Sequence, residues 1–409
     1  MKKSGHADLP LHYGRVPEWL AQRMSTLGGA ILETIVSEYG KKELIHKFSD
    51  PFWFQSLGAV LGMDWHSSGI TTSVMGALKK ATKPIAAEMG IYICGGRGKQ
   101  SRNTPNELRK ISDQKGLNGD ELINSSKLIA KIDNSAVQDG FQIYLHSFIV
   151  SDEGDWAVVQ QGMNTNSGYA RRYHWSNLEM NSFVKNPHTF VCGENQGKIL
   201  NLVHQDATKT QEGLLEISHE HPEKMTREIK KLILPAHHDV RLENIDLTRL
   251  GAVLFQAYET EVTGFEDLLL IPGLGPRTLQ SLTLVSEVIH GTPSRFDDPA
   301  RFSFAHGGKD GHPFPVPTKV YDQTIAVLKK SIERSKLGLS DKNDALKRLH
   351  KAAARMEENF QPDPSKFKQV IEKEWKNKEH YGGRTVFDDK RKKSSQRKKN
   401  SSNQLSLFD

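Results

Sequence analysis

Residues Glu266–Gly291 read EDLLLIPGLGPRTLQSLTLVSEVIHG. Leu268, Leu269, Leu270 and Ile271 end one apolar helical face, and Leu279, Leu282, Val285, Val288 and Ile289 recur at helical spacing to make another. Pro272-Gly273-Leu274-Gly275-Pro276 lies between them and predicts a tight turn joining two helices. Gly273 and Gly275 let the backbone come close to a ligand, and the second helix starts there with its amides and positive dipole end pointing outward. A turn of this kind is a seat for phosphate. The alternative is a glycine-rich link between two core helices.

The residues from Ile271 to Thr278 resemble the helix-hairpin-helix motif of DNA repair proteins: an apolar residue, Pro-Gly-apolar-Gly, then Pro-Arg and Thr. The resemblance implies that Gly273, Gly275, Arg277 and Thr278 contact DNA. Phosphate contacts fix register without reading bases, so the expected partner is DNA with little sequence preference. Ile245–Thr260 should be the helix preceding this unit.

Towards the N-terminus, Val16–Gly40 carries Leu20, Met24, Leu27, Ile31 and Ile35 on one helical face. Asp50-Pro51 reads as an N-cap followed by a first-turn proline. Asp64-Trp65-His66-Ser67-Ser68-Gly69 is a polar link between apolar helices that could present side chains into a cleft. Ile91–Cys94 reads as a short buried strand running into Gly95–Arg102, a flexible cationic loop or an ordinary solvated turn. A nucleotide P-loop is excluded there by spacing, since its first glycine would fall on Ile93 and Gln100 replaces Ser or Thr. No nucleotide cofactor is therefore expected. Thr104-Pro105-Asn106-Glu107 has the form of a capping box.

The clearest β signal is Phe141–Ser151 with Asp155–Met163, joined at turn spacing by Asp152-Glu153-Gly154. Alternation assigns Ile143, Leu145 and Ser147 to one face and Gln142, Tyr144, His146 and Phe148 to the other. Arg171 and Arg172 lie among Tyr169, Tyr173, His174 and Trp175. That interleaving suits a nucleic-acid strand, or equally a structural cation–π cluster. Asp297–Pro317 is a long loop rich in Gly, Pro, His and Asp. From Asp388 the chain reads DDKRKKSSQRKKNSSNQLSLFD, which predicts a disordered basic arm with salt-sensitive affinity for DNA. Its last pentapeptide, Gln404-Leu405-Ser406-Leu407-Phe408, resembles the bacterial sliding-clamp binding motif at every position. The resemblance implies a hydrogen bond from Gln404 and burial of Leu405, Leu407 and Phe408 in a cleft of the clamp. The alternative is an apolar tail folded back on the core.

With 409 residues there is room for two or three domains. No apolar run is long enough to span a bilayer and no apolar signal segment follows Met1, so the expectation is a cytoplasmic, nucleoid-associated protein with no membrane partner. Two cysteines, Cys94 and Cys192, are too few for a disulfide framework or a cysteine zinc site. The net charge of +7 favours a polyanionic partner. The fold class read from these patterns is α+β and mainly helical. Residues 1–235 should form a mixed domain with a β-hairpin sheet, 236–360 an all-helical hairpin region with C-terminal helices, and 361–409 a basic tail carrying the clamp peptide.

From about Gly5 to Leu339 the chain also resembles a prokaryotic family of unknown function, number 763. The segments that carry this are Ala7–His12, Asp50–Gln55, Asp64–Gly69, Ala157–Met163, Tyr169–Trp175 and Ser303–His312. That family has no settled chemistry, so the resemblance supports the division of the chain more than a function.

Two functions follow. The first is a metal-dependent DNA nuclease. Phosphodiester hydrolysis needs hard ligands for a divalent cation such as Mg²⁺ or Mn²⁺, a water to activate, and cations for the developing charge. Asp64, His66, Asp139, His146 and Asp155 are the candidates for ligands or base, with Asp64, His66 and Asp139 the metal set. Lys99, Arg102, Arg171 and Arg172 could supply the positive charge. Gln160 and Gln161 stand where the usual restriction-nuclease hairpin carries Glu-x-Lys, which departs from that pattern. The second is a clamp-tethered adaptor that senses DNA structure and performs no chemistry. The polar segments of the first domain favour the enzyme.

Overall fold

The computed structural model describes residues 9–10, 16, 18–63, 68–229, 246–260, 262–300 and 318–358. The fold is α+β and mainly helical, as expected. Helices α1 (Glu18–Tyr39), α2 (Lys41–Ser49), α3 (Pro51–Val60) and α4 (Gly69–Thr82) open it. Asp50 caps α3 by accepting from the Phe52 and Trp53 amides, with Pro51 in the first turn. A short α5 (Ala86–Met89) leads into strand β2 (Ile91–Arg97), after β1 (Leu9–Pro10) near the start of the chain. Helices α6 (Lys99–Arg102), α7 (Thr104–Lys115) and α8 (Gly119–Lys131) follow, α8 ending in a π-helical turn over Ile132–Ala136.

Strands β3 (Gln142–Ser151), β4 (Trp156–Asn164), β5 (Tyr169–Ser176) and β6 (Phe190–Cys192) complete a six-stranded antiparallel sheet of order β1-β5-β4-β3-β2, with β6 also on the outer edge of β5. The β3–β4 hairpin is the one predicted, to within a residue at each end. The face assignment at its start is not. A register shift at Tyr144 puts Ile143 into the same core as Phe148 and Val150, and the Tyr144 hydroxyl accepts from Gln161 Nε2 on the opposite face. A bulge inserts one residue, and one residue reverses an alternation of period two.

Helices cover both faces of the sheet. On one side Ile91, Ile93, Ile149, Ala157 and Val159 pack with α1, α2, α3 and α4. On the other, Tyr92, Cys94, Phe148, Trp156, Val158, Tyr173 and Trp175 pack with α8, α9 (Thr208–His219), α11 (Leu247–Glu259), α12 (Phe265–Leu270) and α13 (Pro276–His290). Helix α10 (Pro222–Ile229) joins this second core through Met225 and Ile229.

The cores do not follow the expected division at residue 235. Helices α12 and α13 pack on α8, α9 and the π turn. The last pair, α14 (Thr318–Arg334) and α15 (Leu339–Glu358), packs on α1 and α3 and adds Leu328, Ile332, Ala345 and Leu349 to the first core. Residues expected to form one all-helical region therefore serve two different faces of the sheet. No helix among the described residues is long and apolar enough to cross a membrane.

Candidate nucleic-acid interface

The turn between α12 and α13 is built from the inside outward. Ile271 and Leu274 point into the core beside Leu268, Leu269, Leu279 and Leu282. Pro272, Gly273, Pro276 and Arg277 are left exposed. Gly273 has φ +80°, a left-handed conformation that glycine adopts without strain. The Gly275 amide donates to the Gly273 carbonyl (2.9 Å), and the helical ladder of α13 begins with Leu279 N to Gly275 O (2.9 Å). The first-turn amides of Arg277 and Thr278 precede that ladder, as at any helix start. Gly275 is extended (φ −92°), and the nearest atom to a Cβ built there is Arg249 Nη2 at 3.6 Å. A side chain here would meet Arg249 at ordinary contact distance without straining the backbone. Thr278 is buried, so its contribution to a ligand is confined to its main chain.

Two side chains from elsewhere hold the turn. Arg249, exposed in the first turn of α11, donates through Nε to Gly273 O (3.4 Å). Gln138, just after the π turn, donates through Nε2 to Pro276 O (2.9 Å). Neither residue carries a local signal for this role, because each comes from a separate element. The arrangement offers a helix N-terminus with the two guanidinium groups of Arg249 and Arg277 beside it. Together these suit an oxyanion such as a phosphodiester.

Gly95–Arg102 is not a loop. Strand β2 continues through Arg97, and α6 begins two residues later. Glu107 accepts from the Gly95 amide (2.7 Å), while Lys79 bridges Glu107 (2.7 Å) and the Gly95 carbonyl (2.7 Å). Gly95 has φ +80°, and a Cβ there would lie 2.2 Å from the His146 carbonyl oxygen, which excludes every other residue. Glu107 is thus spent on this knot and makes no capping box with Thr104, whose hydroxyl donates to Ser101 O. The consequence is a fixed exit from the sheet with Arg97, Lys99 and Arg102 all exposed.

Arg171 and Arg172 are corrected by the structure: both are 0% exposed and cannot touch a nucleic-acid strand. They project to opposite faces of β5. Arg171 binds Asp139 (2.9 Å) and Asp298 (2.8 Å) and lies 4.8 Å from the Phe141 ring centroid. Burial opposes its charge, but the oxygens of Asp139, Tyr173 and Asp298 outweigh it and raise its pKa. Arg172 donates to Gln55 (3.2 Å), Thr71 (3.2 Å) and His174 Nε2 (3.0 Å), and sits over the Phe54 ring. Burial lowers its pKa to about 10. The cation–π alternative is the one realised.

The expected catalytic set does not converge among the described residues. Asp139, ahead of β3, accepts from the Phe141 amide on one oxygen, and from Arg171 and the Tyr173 hydroxyl (2.6 Å) on the other. Asp155 lies in the turn at the far end of the β3–β4 hairpin, roughly 30 Å away at about 3.3 Å per strand residue. His146 is buried mid-strand, its Nε2 against Ser126 Oγ (2.8 Å) and its Nδ1 against Gln160 Oε1 (2.6 Å). Burial pulls its pKa down to about 4, so it is neutral at pH 7. Gln160 passes the network to Asp133, which also accepts from Trp175 (2.9 Å) and bonds His188 (2.5 Å). Among the described residues no three His, Cys, Asp or Glu side chains are grouped to hold a metal ion. Asp64, His66 and the clamp peptide Gln404–Phe408 lie outside the described residues.

Asp298 and Asp133 have no signal in the sequence for these roles. Asp298 meets Arg171 across 127 positions, a pairing no local pattern encodes.

No curated protein and no solved structure matches the chain. The family model described as "Protein of unknown function (DUF763)" matches residues 5–316, which include the sheet and the α12–α13 turn. At more than half of the 409 residues, that match makes the chain a member of this family.

Proposed function

We propose that this protein binds the DNA backbone through a helix-hairpin-helix contact at Pro272–Thr278, and that a sliding clamp recruits it through Gln404–Phe408. The observation that carries the reading is the exposed glycine turn at the start of α13, with Arg249 and Arg277 beside it. Fluorescence anisotropy with labelled duplex at low ionic strength tests it. Binding is expected without sequence preference, and no binding at low salt refutes the reading. Deleting Gln404–Phe408 should abolish capture on immobilised clamp while leaving DNA affinity intact. Capture that survives the deletion removes the clamp from the proposal.

A second reading adds metal-dependent cleavage of DNA. It is favoured by the position of two residues that border polar segments. Ser68 O accepts from Gln161 Nε2 (2.9 Å), and the Ala300 amide donates to Asp298, the partner of Arg171. Gln161 pairs with Arg172, and Gly162 with Arg171, across β4 and β5, so Ser68 and Asp298 bind adjacent rows of the sheet from its two faces. Labelled single-stranded, duplex and flapped DNA with Mg²⁺ or Mn²⁺ is the assay. Cleavage lost on Asp64→Ala or His66→Ala supports it; retained binding with no cleavage leaves the adaptor.

A further inference from the structure

We infer that the exit of β2, at Arg97, Lys99 and Arg102, is a second backbone contact in the same footprint as the α12–α13 turn, and that the partner is duplex DNA. The inference rests on the DNA-binding reading above and extends it.

Both elements border the first residues of β3. The turn is tied through Pro276 O to Gln138, and the β2 exit is tied through Gly98 N to Tyr144 O (2.9 Å), with the Arg97 guanidinium 5.9 Å from the Tyr144 ring centroid. Gln138 and Tyr144 are six residues apart, so their anchor points are separated by no more than roughly 20 Å at about 3.3–3.6 Å per extended residue. A duplex carries one phosphate charge per about 1.7 Å of axis, so roughly twelve phosphates fall within that span. The β2 exit itself is electropositive. Gly95–Asn106 holds three cations and no carboxylate, and the exposed β4–β5 turn at Thr165, Asn166 and Ser167 is uncharged. Asp139 and Asp298, near the start of β3, are both buried against Arg171.

Among the described residues the lack of a stacking platform beside these elements favours duplex over single strand. Single-strand sites combine cations with aromatic rings that stack on bases. Among the described residues the exposed aromatic side chains are Trp19, Tyr39, Phe255 and Tyr258, and none belongs to Arg97–Arg102, Asn164–Gly168 or Pro272–Thr278. Both contact elements are also fixed, one by the Lys79–Glu107–Gly95 knot and one by Gln138 and Arg249. A stiff duplex can meet two fixed points without losing conformational freedom of its own.

The test is anisotropy with the full chain against duplex and single-stranded DNA of equal length over a range of salt. Lys99→Glu with Arg102→Glu should weaken duplex binding tenfold or more and lower the slope of log affinity against log salt by about two, at about 0.9 per phosphate contact. The milder Lys99→Ala with Arg102→Ala should show the same slope change, with unchanged thermal melting in both variants. Unchanged duplex affinity and slope in the double variants, with Arg277→Glu still damaging, overturns this inference and leaves the turn standing. Loss in the double variants but not in Arg277→Glu overturns both. Single strand bound as tightly as duplex, with the same losses, overturns the choice of duplex.

Discussion

The arginines of β5 and the arginine of the α12–α13 turn sit in sequence contexts that both suit nucleic-acid contact, and they end in opposite places. Arg277 is exposed in the first turn of α13. Arg171 and Arg172 are fully buried, one between two carboxylates and one among Gln55, Thr71 and His174. The difference lies in what covers each element. A strand in the middle of a helix–sheet–helix sandwich has no solvent face, so polar side chains on either side become structural. The turn joins two helices whose apolar faces point inward, and its polar atoms have nowhere to go but out.

The sharpest way to break this contrast is Arg171→Ala. It leaves Asp139 and Asp298 buried without their cation and should cost about 3–5 kcal/mol in urea unfolding. Adding Asp139→Asn and Asp298→Asn should recover part of that loss, because the unpaired charges rather than the cavity dominate. A destabilisation below about 1 kcal/mol would mean the cluster is wet and Arg171 available to a ligand.

Acid sharpens it next. The His146 imidazole takes up a proton below about 6.5 when unfolded and near about 4 when folded. The unfolded state therefore binds more protons in this window, and stability, complete above about 6.5, is lost as pH falls towards 4. Between about pH 7 and about pH 5 the contribution is on the order of 2 kcal/mol, at about 1.4 kcal/mol per pKa unit. The buried His174, whose pKa burial also lowers, adds in the same direction. In His146→Gln the slope over this window should fall; an unchanged slope would place the titration elsewhere.

The smallest energetic effect belongs to the surface. Arg277→Glu should reduce DNA affinity by about tenfold, near 1.4 kcal/mol, and change stability by less than about 0.5 kcal/mol. If it unfolds the protein instead, the turn is a core element and the contrast with β5 disappears.

Features written in contiguous residues were legible. Asp50-Pro51 caps α3 as read, the β3–β4 hairpin falls where alternation put it, and the apolar positions around Pro272–Pro276 set two helices and a turn. The misreadings have a common origin. Glu107 has the spacing of a capping residue, yet binds Lys79 and the Gly95 amide. Tyr144 belongs to the alternating pattern, yet forms a bulge. Asp139 and His146 are among the candidates for ligand or base, yet each is held by partners from other segments.

Sequence alone determined the α+β class, several helix limits and the glycine turn, because propensity, capping and periodicity act over a few residues and survive any packing consistent with them. Only the tertiary structure decided which cations face solvent, which carboxylates neutralise which arginines, and which helices cover which face. Those outcomes depend on desolvation, and a side chain is desolvated by whatever packs over it, in this fold often more than a hundred residues away.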